Sequence, residues 1–111
     1  MTYVVRILGR AQADVDDVYL WLRRSSPTGA VAWYSAFLDR YTGLGENAMS
    51  CALAPEAARL GIELRQAFFK TRRGRSYRLL FVVTSGEVRV LRVRGPGQRP
   101  VSKRDLPAVP E

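Results

Sequence analysis

Hydrophobic and polar positions along this chain change their period twice. Residues 3–8, YVVRIL, set Val5 and Ile7 on one side and Arg6 on the other, the alternation of a short strand that Gly9 ends. From Ala11 to Arg24 the apolar positions Ala11, Val15, Val18 and Leu22 recur at helical spacing, with Tyr19 and Trp21 widening the stripe. Ser25-Ser26-Pro27 then predicts a break and restart, with Ser26 as N-cap and Pro27 at the first helical position. The second helix is expected to run to about Leu44, where Gly43 and Gly45 close it. Tyr34, Phe37, Leu38, Tyr41 and Leu44 form its apolar face, with Ala30 and Trp33 beside it. This aromatic stripe keeps helical periodicity over several turns, which reads as core and not as a platform for stacking bases.

Residues 46–62 are Ala-rich but broken by Pro55, and read as an ordered loop with a short helix around Glu56–Leu60. Period two then returns in three runs, at about 64–70, 76–83 and 87–94. TRRGR (71–75) and Ser85-Gly86 separate these runs as turns, so they predict an antiparallel meander that ends at Gly95-Pro96-Gly97. The segment 98–111 has three prolines and little apolar content, and is expected to be extended or frayed. Two helices joined by a short turn must cover something apolar, and the sheet is the natural partner. The predicted class is α+β: an N-terminal strand and a two-helix hairpin packed on a mainly antiparallel four-stranded sheet. Residues 1–104 form one domain and 105–111 a flexible tail.

Composition narrows the chemistry. A chain of 111 residues can bury one core without staples. No apolar run approaches the roughly 20 residues of a membrane helix, and the N-terminus lacks the pattern of a signal peptide. The single cysteine, Cys51, allows no internal disulfide and fits a reducing cytoplasm. With no histidine to activate it, Cys51 reads as a small buried filler. The same shortage of His and Cys leaves no donor set for a transition metal, and neither a metal nor a cofactor is expected. Asp14, Asp16 and Asp17 lie early in the first helix, where its dipole and solvent account for them without further chemistry.

Charge is placed unevenly. Residues 1–58 carry five Arg and six acids, a balance of −1, whereas residues 59–111 carry thirteen Lys or Arg and four acids, a balance of +9; together they give the net +8. The basic character belongs to the sheet and the segment behind it, as expected for a surface that meets nucleic acid or an acidic protein. Arg78 sits mid-strand on the face of Leu80 and Val82, where a guanidinium is costly unless paired or solvated. It marks either a buried ion pair or an anion-binding floor, and the scarcity of carboxylates nearby favours the floor. Arg92 and Arg94 should share a face of the last strand with Val88 and Val90, and Arg65 and Lys70 bracket the second strand. Arg72, Arg73 and Arg75 belong to the turn, suited to nonspecific phosphate attraction. Arg99, Lys103 and Arg104 lie on an arm beyond the sheet. RNA cleavage by the neighbouring 2′-hydroxyl would need a base and an acid, and without histidine Lys70, Tyr77 or an arginine acting electrostatically would have to substitute.

The motifs AQADVDDVYLWL and SPTGAVAWYSAFL in the hairpin, then LAPEAARLGIELRQAF, YRLLFVV and VRVLRVRG, resemble the RelE/ParE superfamily of toxins from type II toxin–antitoxin (plasmid stabilisation) modules. The resemblance spans about residues 3–104. It implies a cytoplasmic toxin whose cognate antitoxin wraps the basic sheet and hairpin, and which reaches operator DNA only through that antitoxin. RelE-like members cut messenger RNA on the ribosome, whereas ParE-like members inhibit DNA gyrase; a degenerate, non-toxic homologue that only binds RNA is a third expectation. In the RelE-like case Arg78 matches the strand arginine at the scissile phosphate, Arg65 the basic residue of the preceding strand, and Arg94 or Arg99 the arginine after the last strand. Lys70, Arg72, Arg73, Arg75 and Arg92 would contact nucleic acid or antitoxin. RelE-like nucleases carry a tyrosine or histidine near the C-terminus, and here no aromatic residue follows Phe81; with AxxDVDDVYxWL, this points to the ParE-like branch.

Overall fold

In a computed structural model, described for residues 2–107, the chain orders its elements β1 (Val4–Ile7), α1 (Gly9–Ser25), α2 (Pro27–Asn47), α3 (Ala57–Leu60), β2 (Arg65–Phe69), β3 (Tyr77–Thr84) and β4 (Glu87–Arg94). Single 3-10 turns lie at Ala48–Ser50 and Lys103–Asp105. The four strands form one sheet in the order β1-β4-β3-β2. β2, β3 and β4 are the predicted antiparallel meander, and β1 joins β4 in parallel, with Val4 beside Glu87 and Ile7 beside Val90. Ser85 and Gly86 both take positive φ, 48° and 78°, the backbone of a two-residue hairpin turn whose twist matches the strands it joins.

The hairpin caps one face of this sheet. Ser26 Oγ accepts the Gly29 N–H at 3.0 Å and Pro27 opens α2, as the Ser-Pro pair predicts. Ala11 and Val15 of α1 and Trp33, Phe37 and Leu44 of α2 bury against Ala67, Phe69, Leu79, Phe81, Val88, Val90 and Val93. Trp33, Phe37, Phe69 and Tyr77 touch one another at ring separations of 5.4–6.2 Å, which locks the hairpin onto the β2–β3 end of the sheet. Trp21 points away from this core and is 64% exposed, and Leu38 is exposed too. The buried stripe of α2 instead follows Ala30, Trp33, Phe37 and Leu44.

Gly43 and Gly45 do not end α2, which continues to Asn47. Gly45 is there for proximity: its carbonyl accepts the Tyr3 N–H at 2.7 Å, and a Cβ on it would stand 3.0 Å from the Tyr3 carbonyl oxygen. Helix and strand therefore meet backbone to backbone, and any side chain on Gly45 would have to push the strand's carbonyl back. β1 has ended by Gly9, as expected, and Gly9 also opens α1.

The opposite face of the sheet carries a second, smaller cluster of Ala54, Ala57, Leu64, Leu80, Leu91 and Val101. Val101 belongs to the segment expected to be extended or frayed, yet it is fully buried. Arg59 Nη2 donates to its carbonyl at 2.6 Å, and its N–H donates to Glu56 Oε2 at 3.1 Å. Ser102 and Asp105 then close a reciprocal capping box around the last 3-10 turn. One buried valine, worth roughly 1.5–3 kcal/mol, and three polar anchors hold a segment that composition alone marks as loose. Residues 108–111 of the expected flexible tail lie outside the described residues.

Candidate functional site

The arginines converge on that second face because of one extra residue in β4. Phe81 pairs with Val90 but Leu80 with Arg92, so Leu91 is bulged out of the ladder. Ahead of the bulge Val88 and Val90 face the hairpin; beyond it Arg92 and Arg94 stand opposite Leu80 and Arg78, on the far side. The expectation that Arg92 and Arg94 share a face with Val88 and Val90 is thus overturned. A one-residue slip moves every later side chain across the sheet.

The slip sets Arg94 directly opposite Arg78, a like-charge pair that destabilises a sheet unless it is neutralised. Carboxylates from outside the sheet neutralise it. Glu56, 3% exposed and just ahead of α3, grips Arg78 in a bidentate pair, with Nη1 to Oε1 at 2.9 Å and Nη2 to Oε2. Gln66 Oε1 accepts a further Arg78 N–H at 3.0 Å. The Arg78 hydrogen bonds outweigh the cost of burial and hold the Glu56 carboxyl at about 2, from an ordinary 4.5. Arg78 is therefore the buried ion pair, not the open anion floor.

Asp105 serves Arg94 and Arg99 together. Its Oδ2 lies 3.3 Å from Arg94 Nη2 and accepts Arg99 Nη1 at 2.9 Å. The Ser102 N–H, Arg99 and the Ser102 hydroxyl hold the Asp105 carboxyl well below the usual carboxylate range. Arg94 is 8% exposed, and its Nε and Nη2 find no well-aligned hydrogen-bond acceptor among the described residues, so Asp105 meets it as a charge. Burial, then the neighbouring Arg92 charge, pull its pKa down from the ordinary arginine value.

Asp14 is the third carboxylate, and it has a task after all. β1 ends opposite Val90, leaving the outer edge of β4 uncovered beyond that point, and α1 lies against it there. Asp14 accepts the Val93 N–H at 2.9 Å and both Arg92 Nε and Nη2, at 2.8 and 2.9 Å. It finishes the ladder where the strand runs out. The sequence signal was its position three residues after Ala11 and four before Val18, on the flank of the buried stripe.

The structure gathers Arg78, Arg92, Arg94 and Arg99 on one face and leaves Arg65 out. Arg65 pairs with Phe81 on the hairpin side, donates to the Cys51 carbonyl at 2.7 Å and sits 3.5 Å from Glu63. It ties the loop to β2 and cannot share a phosphate with Arg78. Cys51 is the buried filler expected, with Arg40 Nη2 3.7 Å from its sulfur. Lys70, Arg72, Arg73 and Arg75 are exposed at the β2–β3 turn, with no hydrogen bond or ion pair among the described residues. Beside Arg78 is an open hollow of about 370 Å³ lined by Glu56, Arg59, Gln66 and Phe68, where the Arg78 guanidinium is already engaged by the Glu56 carboxylate. Tyr77, one of the residues that would stand in for histidine, is pushed up by burial, which opposes its ionisation.

No protein-family model matches the chain, and a search of curated proteins finds no match. Among solved structures, a chain described as the chromosomal ParDE TA system from P. aeruginosa superposes with a TM-score of 0.67. The two are 19% identical, and the match covers 85% of this chain and 96% of that one. They share the α+β fold of a helical hairpin on a four-stranded mixed sheet.

Proposed function

We propose that this protein is the toxin component of a type II toxin–antitoxin system, a ParE-like growth inhibitor directed at DNA gyrase and neutralised by a cognate antitoxin. The fold shared with the ParDE chain supports the toxin class. One observation carries the choice of a binding mechanism over a cutting one: Arg78, the arginine a nuclease would aim at phosphate, is bidentate on the buried Glu56. A phosphate would have to displace a carboxylate that is nearly inaccessible and strongly held. The chain also has no histidine to move a proton at neutral pH.

The convergence of Arg78, Arg94 and Arg99 on one face favours a second reading, a RelE-like ribosome-dependent endoribonuclease. In that case Glu56 and Asp105 act as counter-ions that substrate displaces. Induced expression in a bacterial host, with messenger RNA ends mapped and plasmid supercoiling measured in the same cells, separates the two. Intact messages with altered supercoiling or DNA breaks are the expected result. New cuts at ribosome-occupied codons would transfer the protein to the nuclease reading. Full growth with abundant folded protein would reject both.

A further inference from the structure

A cavity of about 590 Å³ lies away from the arginine face, at the pole where the α1–α2 turn, the β2–β3 turn and Gly95-Pro96 meet. Its walls are Trp21, Leu22, Trp33 and Tyr77, and Arg73 and Arg75 stand at its rim. Two features set it apart from ordinary surface. Trp21 is 64% exposed, a large apolar ring that the hairpin core does not use. Trp33 is 3% exposed, and its buried Nε1–H has no acceptor among the described residues.

The surroundings are positive without relief. No lining residue is acidic, and Lys70, Arg72, Arg73 and Arg75, with Arg23 and Arg24 in the last turn of α1, make no hydrogen bond or ion pair among the described residues. The sheet-face arginines have their carboxylates within the chain; these six have none. The polar groups that a nucleobase would need are partly taken: Ser26 Oγ accepts from Gly29, and Gln98 Oε1 accepts from Gly95. The cavity therefore suits an apolar side chain better than a base, and its rim suits carboxylates.

We infer that this cavity is a socket for an acidic segment of a partner protein, which inserts one large apolar side chain between Trp21, Trp33 and Tyr77 while flanking carboxylates meet Arg73 and Arg75. The inference stands on the cavity alone and holds whether or not the chain arrests growth.

The two tryptophans of the chain both line the socket, so their indole N–H signals in a nitrogen-15 correlation spectrum report it directly. The probes are nonapeptides of Asp and Glu with a central Phe, Leu or Ala, and, in separate titrations, adenosine monophosphate and a short oligouridine. The Phe peptide should shift both indole signals and saturate, with Leu close behind and Ala at least about tenfold weaker. Trp21→Ala should weaken the Phe peptide at least about tenfold with an unchanged melting temperature, because Trp21 is exposed. Charge reversal at the rim, Arg73→Glu with Arg75→Glu, should do the same. Indole signals that stay put with every peptide would overturn the inference. So would equal affinity for the Phe and Ala peptides, or nucleotide or oligouridine binding more tightly than the Phe peptide.

Discussion

Two arginine-rich regions lie on this one small sheet, and they behave as opposites. On the face opposite the hairpin, Arg78, Arg92, Arg94 and Arg99 are held by Glu56, Asp14 and Asp105, four cations against three anions. At the β2–β3 turn, Lys70, Arg72, Arg73 and Arg75 project into solvent. A count of charge along the sequence treats them alike. Their physical roles differ: the first group holds the 98–106 segment and the β4 edge in place, and the second is available to a partner. Basic residues threaded through strands are therefore weak evidence of an anion site until their counter-ions are located.

The comparison breaks most sharply at Arg78. Arg78→Ala leaves the buried Glu56 carboxylate without its partner and should cost about 3–5 kcal/mol in denaturant-induced unfolding. Wild-type stability in that variant would mean that the pair is not structural. The same bond sets a pH signature. Glu56 titrates at about 2 in the folded chain and near 4.5 when free, so its contribution is present above 4.5 and is lost as pH falls through 2. That difference amounts to about 3 kcal/mol. Glu56→Gln should flatten the acid limb of the stability–pH curve over this interval.

Gly95 stands between the two regions, where a Cβ would lie 2.7 Å from the Tyr77 ring. Gly95→Ala should cost about 1–3 kcal/mol by overpacking, and by displacing Tyr77 it should also disturb the indole signals of the socket. The smallest effect belongs to the turn. Arg73→Ala should change stability by less than about 0.5 kcal/mol, yet lower the salt slope of polyanion binding by about one. A large stability loss there would erase the contrast between the two regions.

How far these regions were legible in the sequence follows the same division. The period-two runs gave β4 its observed ends at 87 and 94, and Ser26-Pro27 placed the helical restart. Local patterns suffice where a residue's own neighbours decide its conformation. The bulge at Leu91 does leave a mark, two adjacent apolar residues, Val90-Leu91, after which the alternation resumes in the opposite phase; carrying a strict period of two past that point puts Arg92 and Arg94 on the wrong face. Gly45 read as a helix stop because the strand it touches lies more than 40 residues earlier. Glu56 and Val101 act through contacts distant in sequence, and a composition-based reading of residues 98–106 as loose overlooks a single buried valine. The exposed turn arginines were placed correctly, since nothing distant modifies them.

The parallel pairing of β1 with β4 also constrains the order of events during synthesis. β1 leaves the ribosome first among the strands, and its hydrogen-bonding partner leaves last, about 80 residues later. Until Glu87–Val90 emerge, β1 has an open edge, and the apolar underside of the hairpin has no complete sheet to cover. For most of its translation the nascent chain thus displays the surfaces that chaperones recognise. A folded-state variant that weakens the β1–β4 seam would be felt first as a lower yield of folded chains.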